Sequence, residues 1–390
     1  MSSAAPRGTV VVSGILFWYP LAGVSYQFLH YLLGLRALGF RVFYVEDSGR
    51  WVYDPALREL TSDPRANIAR IEPLLRAHGF ADAWAFRGAY PGGECFGMTA
   101  PQLARLYREA DLLLNVTGAQ ELREEHMQIP RRVYLETDPF GSQVKLAQGD
   151  VALRAVVDAH DTWFTFGENV GQPDCLAPVD RPWLPTRQPI ALELWTMQPE
   201  AANARYRTIT TWHNTGKDVR FKGELYHWTK DREFMKIAPI AADRSAQRFE
   251  LASDADANAR AALQAHGFEL SDALSISGDP ARYRAFIERS RAELSVARDQ
   301  YARPNTGWFS DRSACYLAAG RPVITQHTGF ERHLPVGRGL FAFRTREDIA
   351  RAIDTIESDY LAHCRAAREL AREYFAADRV LGQLLSRAQL

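Results

Sequence analysis

The sequence predicts an α/β protein of two domains, each a parallel sheet covered by helices, facing one another across a cleft. Three observations carry the prediction. Strand-like apolar runs alternate with helix-like segments in both halves of the chain, the pattern of parallel strands joined by crossover helices. Between the halves, residues 173–189 carry prolines at 173, 178, 182, 185 and 189, which suits a semi-rigid connector better than a packed element. The length, 390 residues with 46% hydrophobic content, is comfortable for two cores. The expected spans are 1–180 for the first domain, 190–365 for the second and 366–390 for a terminal helix.

Taken in order, residues 9–16 read as a strand, 24–38 as a helix that Gly39 stops, and 41–45 as the next strand. Further strands are expected at 111–116, 132–136 and 162–166. The second half restarts with strands at 206–211, 249–252, 273–276, 292–297, 322–325 and 339–343. Within it, Ser310 caps a helix that runs to Ala319 and ends at Gly320. Residues 351–390 read as amphipathic helices rich in Ala, Leu and Arg.

Charge and cysteine usage narrow the function classes. Lys plus Arg and Asp plus Glu both total 47, so the chain is neutral and offers no basic block for nucleic acid or an anionic membrane. Cys95, Cys175, Cys315 and Cys364 form neither a disulfide framework nor a Cys-x-x-Cys metal pair, which fits a reducing cytoplasm. No apolar run approaches the roughly 18 residues of a membrane span, and the first residues do not read as a signal peptide. These features point to work on small molecules.

The most informative segment is 299–324. A buried strand, a loop at Pro304 to Gly307 and a helix capped by Ser310 build a corner whose free N–H groups and helix dipole suit a phosphate or diphosphate. Gly307 permits close approach, and Arg312 in the first turn can add a charge-assisted fork. The wording Arg312-Ser-Ala-Cys-Tyr-Leu-Ala-Ala-Gly-Arg-Pro-Val-Ile324 resembles the donor-site helix of GT-B glycosyltransferases, specifically group 1 transferases and relatives sharing the C-terminal domain of the spore protein CgeB. Arg312, Ala318, Gly320 and Pro322 match that helix in register. Cys315 replaces the glutamate that grips the donor ribose in the family, and Gly307 stands where retaining members place an acid; Asp311 or Ser313 can reach the ribose instead. His327-Thr328-Gly329-Phe330 falls at the family's sugar-side loop.

The resemblance implies two Rossmann-like domains and a metal-independent transferase moving a sugar from a nucleoside diphosphate sugar to an acceptor hydroxyl. That donor is a co-substrate, and no cofactor is expected. It places the diphosphate against Thr306, Gly307, Ser310, Asp311 and Arg312, the sugar by His327 to Phe330, and the acceptor in the first domain. The acceptor is open between a polysaccharide precursor, a natural product and a protein. It also implies that the terminal helix crosses back onto the first domain. A non-catalytic nucleotide- or glycan-binding relative and a nucleotide-sugar epimerase are the alternatives.

Ligands collect at the carboxyl ends of strands in such sheets, which singles out further residues. Trp18, Tyr19 and Gly23 lie in a loop suited to sugar stacking and close backbone approach in an acceptor site, with core packing of the aromatics as the plainer reading. Asp138 follows a strand and is the candidate general base for an inverting reaction, although Asp before Pro is also a common turn; Glu46, Asp47 and His126 are weaker candidates. In similar transferases the loop after the second domain's first strand carries a basic residue that neutralises the leaving diphosphate, a role open here to Lys217 or Lys222, with a solvated polar loop as the plainer reading. Asp254-Ala-Asp256 precedes a helix, so N-capping explains it more simply than a metal.

Overall fold

A computed structural model of the chain describes residues 5–88, 93–198 and 204–390. The first sheet contains β1 (Thr9–Ser13) and β2 (Arg41–Glu46) at its centre, with the hairpin β3 (Val52–Asp54) and β4 (Glu59–Thr61) set apart from it. β5 (Trp84–Arg87), β6 (Cys95–Gly97), β7 (Leu112–Val116), β8 (Arg131–Glu136), β9 (Thr162–Thr165) and β10 (Leu184–Pro185) complete it in the order β10-β9-β8-β7-β1-β2-β5-β6. All neighbours run parallel except β5 and β6. β1 and β7 are buried along their whole length, as strands covered by helices on both faces must be. The connector is therefore not free of structure: Pro185 pairs with Thr165 at the edge of this sheet.

The second sheet comprises β11 (Tyr206–Thr210), β14 (Phe249–Ser253), β15 (Phe268–Asp272), β16 (Ala292–Ser295), β17 (Val323–Gln326) and β18 (Leu340–Phe343), in the order β15-β14-β11-β16-β17-β18. All are parallel, and β12 (Val219–Phe221) with β13 (Glu224–Tyr226) forms a separate hairpin. Both sheets reverse strand order beside their first strand, between β1 and β7 and between β11 and β16. Such switch points open the crevices in which α/β proteins bind ligands.

One expected strand is corrected. Residues 273–276 are helical, within Ala273–Ser277, and the strand lies just before them at β15. The reason is local: Asp272 accepts from the Ser275 amide at 2.7 Å and caps the helix there, while Gly267, at φ +98°, turns the chain into the strand. Asp256 likewise caps Ala257–Ala265, and Asp254 accepts from the Trp212 amide at 2.6 Å, so the acidic pair is structural.

The helix Ala22–Ala37 is apolar around most of its circumference because it is covered on several sides. Tyr26 and His30 face Trp195, and Tyr26 also stacks on Tyr283 of the second domain. Gly34 lets the terminal helix Ala377–Arg387 approach: a Cβ at that position would stand 2.6 Å from Ala377 Cβ. Arg387 then donates to the Pro185 carbonyl at 2.6 Å, and Ile190 pairs with Ala376 in an isolated parallel bridge. The last helix thus lies against the first domain.

Candidate active site

A cavity of about 370 Å³ lies between the domains. Ile15, Thr117, Asp138 and Phe166 reach it from the strand ends of the first sheet, and Thr210, Lys230, Arg298 and Ser310 from the second. Both switch points therefore face the same space, closed by contacts across the cleft. Asn169 donates its amide to the Thr306 carbonyl at 2.9 Å and its Nδ2 to the Asn305 carbonyl at 3.0 Å. Trp308 donates Nε1 to the Thr137 carbonyl at 3.0 Å.

The expected donor corner divides into two sets. Ser310, Asp311 and Arg312 line the cavity at the start of the helix Asp311–Ala318, and the Ser310 side chain makes no capping bond to that helix. Burial pushes the Asp311 carboxyl above the usual range. Arg312 is held from behind, with Nε on Glu293 at 2.7 Å, one terminal nitrogen on the Ile209 carbonyl at 2.8 Å and the other on Ser295 Oγ at 2.5 Å. Thr306 and Gly307 lie beneath, in the loop that meets the first domain. Thr306 is fully buried, and a Cβ on Gly307, whose φ is +76°, would stand 2.8 Å from the Asn169 amide nitrogen.

His327, Thr328, Gly329 and Phe330 do not line the cavity. His327 pairs with Glu331, Thr328 donates its hydroxyl to the Trp308 carbonyl at 2.5 Å, and Phe330 packs on Phe309. Gly329, at φ +90°, faces Asn305 and Asn169. These four residues support the interdomain loop. Cys315, in place of the ribose-gripping glutamate, lies with Sγ 3.7 Å from His30 Nε2 of the first domain and is buried, so that position offers nothing to a ribose. Ser313 is fully buried as well, which leaves Ser310 and Asp311, beside Arg312, as the groups of that turn that line the cavity.

Two cations without a sequence signal, Lys230 and Arg298, line the larger cavity, which Lys217 and Lys222 do not. Lys230 lines the cavity at 8% exposure, and its ammonium makes no hydrogen bond or ion pair among the described residues. Burial, helped by the nearby Arg312 and Arg298 charges, pushes its pKa well below the usual lysine value, and an anion in the cavity would favour its charged form. Arg298, just past β16, lies over the Trp228 ring at 3.8 Å, donates to Tyr301 at 2.9 Å and keeps a buried Nε without a partner. Lys217 lines an adjoining smaller cavity, its ammonium 4.9 Å from the Trp228 ring centre. Lys222 is at the tip of the β12–β13 hairpin, at φ +50°, and lines neither space.

Asp138 lines both cavities, accepts from the Tyr301 hydroxyl and stands 3.6 Å from Arg298. Gly23 lines the larger one, opposite Tyr283. Trp18 and Tyr19 line neither: Trp18 lies under Arg50, and Tyr19 packs on Tyr53. The three weaker candidates for the base are engaged elsewhere. Glu46 accepts from the amides of Phe17 and Trp18 at 2.7 and 2.9 Å and from the Tyr44 hydroxyl, bracing that loop. Asp47 and Glu125, grouped with His126, carry the Arg87 and Arg123 guanidiniums. Burial alone would raise the Asp47 pKa, but His126, Arg87 and Arg123 outweigh it and hold it at about 2.

Residues 236–388 match the family model described as glycosyl transferase-like. That part of the chain is similar to glycosyltransferases. The fold of the whole chain agrees. A glycosyltransferase from Rickettsia africae aligns over 98% of both chains at a TM-score of 0.55 and 10% identity. An alpha-glucosyltransferase solved with UDP and a DNA containing an HMU base aligns over 98% of this chain and 99% of its own, at 0.59 and 10%. HepE from Anabaena, solved with UDP and glucose, aligns over 98% and 100% at 0.54 and 12%. No curated protein matches the sequence. No described helix of this glycosyltransferase-like chain is long and apolar enough to cross a membrane.

Proposed function

We propose that the protein transfers a sugar from a uridine diphosphate carrier to an acceptor hydroxyl with inversion, Asp138 acting as general base. The observation that carries the reading is the pair of underused cations, Lys230 and Arg298, at the second domain's switch point, beside the start of the helix Asp311–Ala318. Negative charge develops on the diphosphate as the glycosidic bond breaks, and preorganised cations there lower the barrier. Complexes of similar folds with UDP favour uridine as the base. In the reaction the acceptor oxygen attacks the anomeric carbon, the bond to the diphosphate breaks, and the acceptor proton passes to Asp138. Every group in this scheme is a side chain or the substrate, so it runs without a metal. The family match favours transfer over a purely binding relative or an epimerase.

The test is nucleotide release from a panel of UDP-, dTDP-, GDP-, ADP- and CDP-sugars offered with mixed acceptors. The expected result is acceptor-stimulated release of UDP that Asp138→Asn suppresses. Release that no acceptor stimulates, or that the variant leaves intact, would sink the scheme.

A further inference from the structure

The smaller cavity, about 190 Å³, adjoins the larger one, and Thr117, Thr137 and Asp138 line both. Its inner wall holds buried polar atoms that the fold leaves unsatisfied. Glu136, at the end of β8 and 3% exposed, accepts from Thr165 Oγ1 at 2.8 Å and from Gln143 through Oε2, while Oε1 has no hydrogen-bond partner. Gln300, fully buried, donates Nε2 to the carbonyls of Lys217 at 2.8 Å and Tyr226 at 3.1 Å and leaves its Oε1 unpartnered. The Thr117 hydroxyl is a third such group. Buried polar atoms are ordinarily paired, so three at one cavity wall mark bonds that an occupant completes.

The same cavity carries an uncompensated charge. Lys145 and Lys217 both line it from exposed positions, and neither makes an ion pair among the described residues. Although the Lys217 residue is exposed along its length, partial burial of its ammonium lowers its pKa, and the Arg298 and Lys145 charges add to that; Asp138 is the anion that opposes this, already shared with Tyr301 and Arg298. Acceptors inside and cations outside define a bifunctional ligand. Hydroxyl groups suit the inner wall, because a hydroxyl can donate to an ionised Glu136 or accept from a protonated one. The volume falls below the roughly 300–1,000 Å³ of drug-sized sites, which fits one small polyol unit.

We propose that this cavity is the acceptor subsite and that it takes a polyhydroxylated unit bearing a carboxylate or phosphate. Its hydroxyls meet Glu136 and Gln300, its anion meets Lys145 and Lys217, and the hydroxyl nearest Asp138 receives the sugar. This rests on the donor reading above, which puts the sugar nucleotide on the other side of Asp138.

The experiment is calorimetric titration of glucuronate, glucose 6-phosphate and neutral glucose into the protein, with and without saturating UDP. Binding of UDP is read in the same series, so loss of the donor reading shows as no UDP heat, separately from the acceptor probes. At least one anionic probe should bind tenfold or more tightly than glucose with UDP present, and which one does so names the anion. Lys145→Met should weaken that probe about tenfold, the loss of one charge-assisted contact. Gly141→Ala should weaken all three, because a Cβ there stands 3.0 Å from Gln300 Oε1, and both variants should keep UDP binding. Equal binding of glucose, displacement of the anionic probe by UDP, or indifference to both substitutions would overturn the proposal.

Discussion

Asp138 is the one titratable side chain common to both cavities, and its oxygen already accepts from the Tyr301 hydroxyl. Asn at this position keeps the shape and that hydrogen bond but cannot take a proton. Asp138→Asn is therefore expected to lower kcat by about 10²–10⁴, the usual worth of a general base, with little change in donor KM. Glu136, two residues before it, makes a second prediction. Burial raises its pKa from 4.5 to about 7, against the pull of Gln143, Ser142 and Thr165. The folded state therefore holds this proton more tightly than the unfolded one, so stability is greatest below the unfolded pKa and is lost as pH rises through about 7. The rise corresponds to roughly 3 kcal/mol. Glu136→Gln should gain stability relative to the parent in alkaline denaturant titrations and lose that advantage in acid. A pH-independent difference would contradict it.

At the scale of elements, close packing decides what is tolerated. The helix Ala22–Ala37 meets the terminal helix through Gly34, where an added methyl would press on Ala377 Cβ and Leu381 Cδ1, both at 2.6 Å. Gly34→Ala is expected to destabilise by about 1–3 kcal/mol, the range for overpacking, measured by urea unfolding. Unchanged stability would mean the two helices are not in contact. Most elements are legible because burial imposes a period on the sequence: the run Thr9–Ser13 and the helix after Ser310 are examples, although the Ser310 side chain does not cap that helix. Residues 273–276 read as a strand in sequence because an apolar run of that length fits a strand or a short helix equally, and the Asp272 cap decides between them. The β12–β13 hairpin and the edge strand β6 are short and half exposed, so their patterns are faint.

For the whole molecule, two domains and a cleft follow from the alternation of elements, whereas the site depends on which loops close against which. Ser310, Asp311, Arg312, Gly23 and Asp138 were marked from sequence and do line the larger cavity. Thr306, Gly307 and residues 327–330, expected at the donor site, hold the domains together here, since Asn169 reaches across to Thr306, Asn305 and Gly329. Lys230 gave no local signal: it is one cation in a charged stretch, and only its burial in the cleft distinguishes it. In the proposed reaction Lys230 meets a nucleoside diphosphate in the interdomain cavity. Calorimetry of UDP binding to the parent and to Lys230→Met tests it most directly. A charge-assisted bond of about 1.5–3 kcal/mol predicts at least tenfold weaker binding in a variant with unchanged unfolding; equal affinity in the two proteins would contradict the account.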